Sequence, residues 1–167
     1  MKKKVNFTQR EPIGSSTYPM PNKEPNFDLI NAKLKNTCPE KDRVSTLYVH
    51  IPFCDQLCSF CGFNKFLSPE DQKEQYVANL IEEMCMYAKT AYVQTLDVQA
   101  VYLGGGTPNS LSCDQLGRVL NFLTSNFPLS NKCEITCEGT PTNLDRMVML
   151  KHYGCNRISA GIQTFNK

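Results

Sequence analysis

The stretch that decides the reading is Tyr48-Val-His-Ile-Pro-Phe-Cys54-Asp-Gln-Leu-Cys58-Ser-Phe-Cys61. Its first half is short, apolar and β-branched, which predicts a strand over Thr46–Ile51. Its second half is a loop with the spacing C-x3-C-x2-C, so three thiols follow directly on the strand. Three thiolates hold three irons of a cubane [4Fe–4S] cluster, which ordinarily takes four cysteines. The fourth iron then stays open to a substrate or cofactor, as the open position of a zinc site separates catalytic from structural metal. A Cys3His zinc site using His50 is the competing reading. His50 stands in the strand, four residues before Cys54, so the cluster is the better fit.

The rest of the chain extends this start into a regular alternation. Ser68-Pro-Glu-Asp reads as a helix start, with a capping serine, proline at the first position and acids at the positive end. Tyr76, Leu80, Ile81 and Met84 recur at helical spacing, which predicts a helix to about Ala91. Val98–Leu103 reads as a second strand. Ser112 and Gln115 form a capping box for a second helix, whose buried face is Leu116, Val119, Leu120 and Leu123. Glu134–Cys137 lies in a third strand. Thr142 with Asp145 caps a third helix, Gly154 stops it, and Arg157–Ile162 reads as a fourth strand.

The order βαβαβαβ predicts an α/β fold with parallel strands and right-handed crossovers. Residues 1–44 form a polar lead-in, extended or partly disordered, with a short helix near Phe27–Leu34; residues 45–167 form the core domain. In parallel α/β folds ligands bind at the carboxyl ends of the strands. The cysteine loop, Gly104-Gly105-Gly106-Thr107-Pro108, Glu138 and Gln163 all fall at such ends, so one pocket is expected to gather them.

Composition bounds the function. The chain has 167 residues, of which 41% are hydrophobic, and a formal net charge of +2, which makes no case for a nucleic-acid partner. No apolar run reaches the roughly 18 residues that would span a bilayer. The basic Met1–Lys4 start lacks an apolar continuation and is not a secretory signal. A cytoplasmic protein is expected. Nine cysteines are an odd number for a disulfide scaffold, and clustered thiols in a cytosolic chain more often mean metal or catalysis. Cys38, Cys85, Cys113, Cys133, Cys137 and Cys155 are scattered and read as buried or half-buried packing residues. His152 reads as a surface residue and Arg157 as half of a structural ion pair.

Tyr48–Phe63 closely resembles the cluster loop of radical S-adenosylmethionine (SAM) enzymes, and the His50–Cys54 lead-in and Phe60 resemble the branch of the oxygen-independent coproporphyrinogen dehydrogenases. The resemblance extends over residues 45–167. It implies the N-terminal part of a partial (βα)6 barrel, of which this chain supplies three and a half units, so the chain is expected to be truncated. It implies a [4Fe–4S] cluster on Cys54, Cys58 and Cys61, with SAM at the open iron. It places Tyr48, Phe60, Gly104, Gly105, Gly106, Thr107, Glu138 and Gln163 in contact with SAM, and assigns no further catalytic residue. One electron, from a donor such as flavodoxin or ferredoxin, then cleaves SAM to a 5′-deoxyadenosyl radical that abstracts hydrogen from substrate. An exposed cluster of this kind implies an anaerobic or protected setting. The substrate expected is a porphyrin or haem. Cys61-Gly62-Phe63 departs from the Cys-Gly-Cys of the dehydrogenases. The haem-degrading methyltransferase and haem-chaperone branches resemble this chain in lacking that cysteine, and the long lead-in favours the haem-degrading one. A chaperone without turnover and an inactive fragment are the remaining alternatives.

Overall fold

The computed structural model describes residues 26–63, 65–67, 69–141 and 144–162. Helix α1, Phe27–Lys35, matches the short helix expected in the lead-in and is capped by the Asn26 side chain accepting from the Leu29 N–H at 3.1 Å. Strand β1, Val44–Ile51, follows, and then the cysteine loop. Helix α2 is Glu70–Ala88 and a one-turn helix α3 is Ala91–Gln94. Strand β2, Asp97–Gly105, leads through a 3₁₀ turn, Pro108–Ser110, into helix α4, Cys113–Asn126. Strand β3, Leu129–Gly139, helix α5, Leu144–His152, and strand β4, Arg157–Ala160, complete the order. The four strands lie in sequence order, β1-β2-β3-β4, and every neighbouring pair is parallel.

Alternation along the strands sorts the side chains. Val49 and Ile51 on β1, Val101 and Leu103 on β2, and Ile135 and Cys137 on β3 are buried in one core. That core also takes Val77 and Met84 from α2, Leu116, Val119, Leu120 and Leu123 from α4, and Leu150 from α5. The capping box of α4 is present as expected: the Ser112 hydroxyl accepts from the Gln115 N–H at 3.1 Å, and the Gln115 side chain accepts from the Ser112 N–H at 2.9 Å.

Four readings of the sequence change. The helix expected to run to Ala91 ends at Ala88, because Thr90 caps a new turn, its hydroxyl accepting from the Val93 N–H at 3.3 Å. Gly104 and Gly105 are not in a loop after β2 but pair with His50 and Ile51 inside the sheet. Strand β4 stops at Ala160, two residues short of the expected end. Cys113 is exposed rather than buried, since it occupies the first turn of α4 on its outer side. The expected caps Ser68 and Thr142, and Gln163, lie outside the described residues.

Leu120 is fully buried in the middle of α4. Leu120→Ala is expected to lower unfolding free energy by about 2–5 kcal/mol, read as a fall in the denaturant midpoint at constant slope.

Candidate cofactor site at the carboxyl ends of the strands

The cysteine loop is closed at its base by pairing between its two ends. The Phe66 N–H donates to the Pro52 carbonyl at 2.8 Å and the Cys54 N–H to the Phe66 carbonyl at 3.0 Å. Within it the Cys61 N–H reaches back to the Cys58 carbonyl at 3.2 Å, and the Lys65 ammonium donates to the Cys61 carbonyl at 2.7 Å. From below, the Tyr76 hydroxyl of α2 donates to the His50 carbonyl at 2.7 Å, and its ring meets Phe53 edge-on at 5.1 Å.

The end of β2 is stitched to the same loop. The Gly106 N–H donates to the Ile51 carbonyl at 2.8 Å and the Thr107 N–H to the Phe53 carbonyl at 2.7 Å. A Cβ on Gly106 would stand 2.7 Å from the Phe53 carbonyl oxygen and 3.0 Å from the Cys54 sulfur, so only glycine fits there. Gly105 adopts φ +119° against the His50 ring, a conformation that L side chains rarely take. The Thr107 hydroxyl lies 3.2 Å from the Cys54 sulfur, placed to donate to it. Asn109 ties this segment to the end of β3, donating to the Thr140 carbonyl at 2.8 Å and accepting from the Thr140 N–H at 3.2 Å.

The sheet face opposite the core carries Tyr48, Gly104 and Glu138, three of the residues expected to contact SAM. Tyr48 stacks on Tyr102 with centroids 6.2 Å apart, and its hydroxyl lies 3.0 Å from the His50 Nδ1. Glu138, near the end of β3, reaches within 3.0 Å of where a Cβ on Gly104 would be. Partial burial, and then the nearby Glu138 carboxylate, push the Tyr48 phenol above its ordinary range, so it stays a neutral hydrogen-bonding group well past neutral pH. Phe60 projects from the cysteine loop, 64% exposed. The structure thus brings together Cys54, Gly106 and Thr107, and separately Tyr48, Gly104 and Glu138, on adjoining parts of one edge.

The residues present suit a cubane. Cys54 is buried with a hydroxyl donor at its sulfur, and Cys58 and Cys61 are partly buried on the same loop. Among the described residues no three His, Cys, Asp or Glu side chains converge on a point for a single metal ion. A cubane makes no such demand, since each thiolate takes its own iron. His50 stands in β1 with its Nδ1 at the Tyr48 hydroxyl. Sequence reasoning missed Tyr102, Asn109 and the Thr107–Cys54 contact. Tyr102 was legible as the strand neighbour facing Tyr48; the other two depend on loop conformation. Arg157 does form the expected ion pair, 3.5 Å from Glu134, and also reaches the Thr136 hydroxyl at 3.2 Å. His152 is exposed at the end of α5, as expected. No described helix is long and apolar enough to cross a membrane.

Comparison with known proteins agrees with this geometry. The radical SAM superfamily profile matches residues 48–167. The chain is 43% identical over 126 residues to the anaerobilin synthase of Escherichia coli O157:H7, covering 74% of this chain and 28% of that protein. It is 36% identical to the haem chaperone HemW of Bacillus subtilis, covering 73% of this chain and 32% of the relative. The solved coproporphyrinogen III oxidase (HemN) of Escherichia coli, described as a radical SAM enzyme, superposes with a TM-score of 0.72 at 34% identity, over 86% of this chain and 32% of that one. The chain therefore spans about a third or less of the length of these relatives. It belongs to the radical SAM superfamily, whose members use a [4Fe–4S] cluster and SAM.

Two outcomes check the site. Burial, and then Cys155 nearby, push the Cys137 thiol up to about 12. Iodoacetamide at pH 8 is therefore expected to modify Cys58, Cys61 and exposed Cys113 in the folded apoprotein and to spare Cys137, by peptide mass mapping. Gly106→Ala is expected to leave the chain folded but to lower the iron retained after reconstitution, read by iron analysis beside circular dichroism.

Proposed function

We propose that this radical SAM protein is an oxidoreductase that reductively cleaves SAM and acts on a porphyrin or haem. The observation that carries the reading is the Cys54 sulfur lodged between Gly106 and the Thr107 hydroxyl at the carboxyl edge of a parallel sheet. Cys54, Cys58 and Cys61 would hold three irons and leave the fourth position for SAM. When bound, the cluster and SAM would supply radical chemistry that takes a hydrogen atom from substrate.

The chain's own residues set the conditions for that chemistry. The Thr107 hydroxyl is placed to donate to the Cys54 sulfur and so fixes where that ligand sits. Glu138 offers a carboxylate to an ammonium or a ribose hydroxyl. Gly104 keeps the backbone beside it open, because any side chain there would meet Tyr102 and Glu138. The neutral Tyr48 phenol gives a hydrogen-bonding group beside that carboxylate. Phe60 would pack on the adenosyl group, and Gln163, by the family resemblance, would add a polar contact.

The apolar rim of the cysteine loop supports a porphyrin-type substrate. Leu57, Phe60, Phe63, Phe66 and Leu67 are all more than half exposed on one short loop. So much apolar surface in one place fits a flat, apolar macrocycle. The relatives carry names that point the same way: a haem chaperone, a coproporphyrinogen oxidase and an anaerobilin synthase. Phe63, standing where the coproporphyrinogen dehydrogenases have cysteine, fits the haem-degrading and haem-chaperone branches alike, and haem degradation is the second reading. We place the protein in the cytosol, where free thiols persist and a flavodoxin or ferredoxin is at hand.

Anaerobic reconstitution with iron and sulfide tests the proposal. About four irons per chain, a reduced-cluster EPR signal altered by SAM, and 5′-deoxyadenosine formation abolished in Cys58→Ala are expected. A folded chain that takes up zinc and assembles no cluster would sink it. With the cluster in place, haem and coproporphyrinogen are the substrates to compare, and haem bound without turnover would move the reading to a chaperone.

A further inference from the structure

Lysine is rarely buried unless its charge is matched, and Lys73 on α2 is buried with its side chain only 10% exposed. Its ammonium donates to the Ser110 carbonyl at 2.9 Å. It lies 3.8 Å from the Asp55 carboxylate, in the residue after Cys54, and 3.9 Å from Glu70. Glu70 is itself held by the Gln115 side chain of the α4 capping box at 2.7 Å. Ser110 in turn donates its hydroxyl to the Phe53 carbonyl at 3.2 Å. Lys73 and Cys54 line the same cleft of about 400 Å³, with Asp55, Leu67 and Pro69. One ammonium therefore touches the first residues of the cysteine loop, the 3₁₀ turn after the glycines and the start of α2.

We propose that Lys73 is a positioning residue for the cluster: it locks the cysteine loop to the glycine segment and keeps a positive charge beside Cys54. The cost of burying an ammonium is offset here by one carbonyl and two carboxylates, and those groups belong to the segments that must stay in register. The charge has a second consequence. A cluster bearing three thiolates becomes more negative on reduction, and a fixed cation nearby favours the reduced form. The inference rests on the cluster reading for this electrostatic part only; the mechanical part concerns the apoprotein.

Hydrogen exchange of the apoprotein, followed by mass spectrometry, tests the mechanical part. Lys73→Met is expected to speed exchange by about tenfold or more in segments 54–67 and 106–111, leaving the β2–β3 core unchanged. Lys73→Arg, which keeps the charge and the donor, is expected to stay within about threefold of the parent. Asp55→Asn, with the lysine retained, is expected to loosen 54–58 alone, and serves if Lys73→Met does not fold. In the reconstituted protein the EPR-monitored midpoint potential is expected to become more negative in Lys73→Met and to hold in Lys73→Arg. Exchange unchanged in both segments, or raised evenly over the whole chain, would overturn the proposal, as would a potential indifferent to the charge. If the wild type assembles no cluster while the exchange effects appear, the function reading fails and the locking role of Lys73 stands.

Discussion

Everything at the carboxyl edge depends on β1 and β2 remaining paired past the point where the strands end. Ile51 and Phe53 keep offering carbonyls, and Gly106 and Thr107 keep supplying the matching N–H groups at 2.8 and 2.7 Å. This extension presses the Cys54 sulfur onto the Gly106 backbone and brings the Thr107 hydroxyl within 3.2 Å of it. Glycine is required for steric reasons at Gly106 and for conformational ones at Gly105. The loop that bears the thiols is thereby fixed by backbone hydrogen bonds, the least mutable contacts a chain possesses.

The supports radiate from this junction, and each comes from a different element. Tyr76 and Lys73 reach up from α2, one to the His50 carbonyl and the other to the Ser110 carbonyl. Asn109 passes the constraint on to β3 through Thr140. The apolar core beneath supplies the stiffness, since Ile51, Leu103 and Leu116 are fully buried under the same strand ends. The opposite face is left with Tyr48, Tyr102 and Glu138, a phenol pair and a carboxylate on a rigid platform. Rigid elements hold a binding constellation more accurately than loops do, whereas the outer turn of the cysteine loop is held by the local bonds of Cys61 to Cys58 and of Lys65 to Cys61.

Much of this was legible before any coordinates. The alternation of β-branched runs with helical spacing gave the parallel order, and the Ser112–Gln115 box located α4 to the residue. The three thiols and their place after β1 followed from spacing alone. The glycines misled, because a run of three reads as a turn, whereas Gly104 and Gly105 are strand residues chosen for what approaches them. The break before α3 was hidden because only Lys89 and Thr90 interrupt the run from Met86 to Tyr92; Thr90, which caps the new turn, was its signal. Cys113 was misjudged because a helix start exposes residues that its later turns would bury. Lys73 could have been found: it stands on the stripe of Tyr76, Val77 and Leu80, where a charge demands a buried partner.

The contrast between the braced base of the loop and its apolar rim separates two tasks. Holding a reactive cluster needs fixed thiolates and water kept away from Cys54, which the buried base supplies. The large flat ligand proposed for this chain would need apolar surface that can be covered in turn, and Phe60, Phe63 and Phe66 are exposed on the loop. Relatives named as a synthase, a chaperone and an oxidase share between 35% and 43% identity with this chain. Three such different names at similar likeness fit the proposed reading, in which the base would be shared and the reaction left to what meets the rim. Phe63 belongs to that rim and not to the braced base, so on the proposed reading its departure from cysteine would bear on the substrate and not on the three thiols.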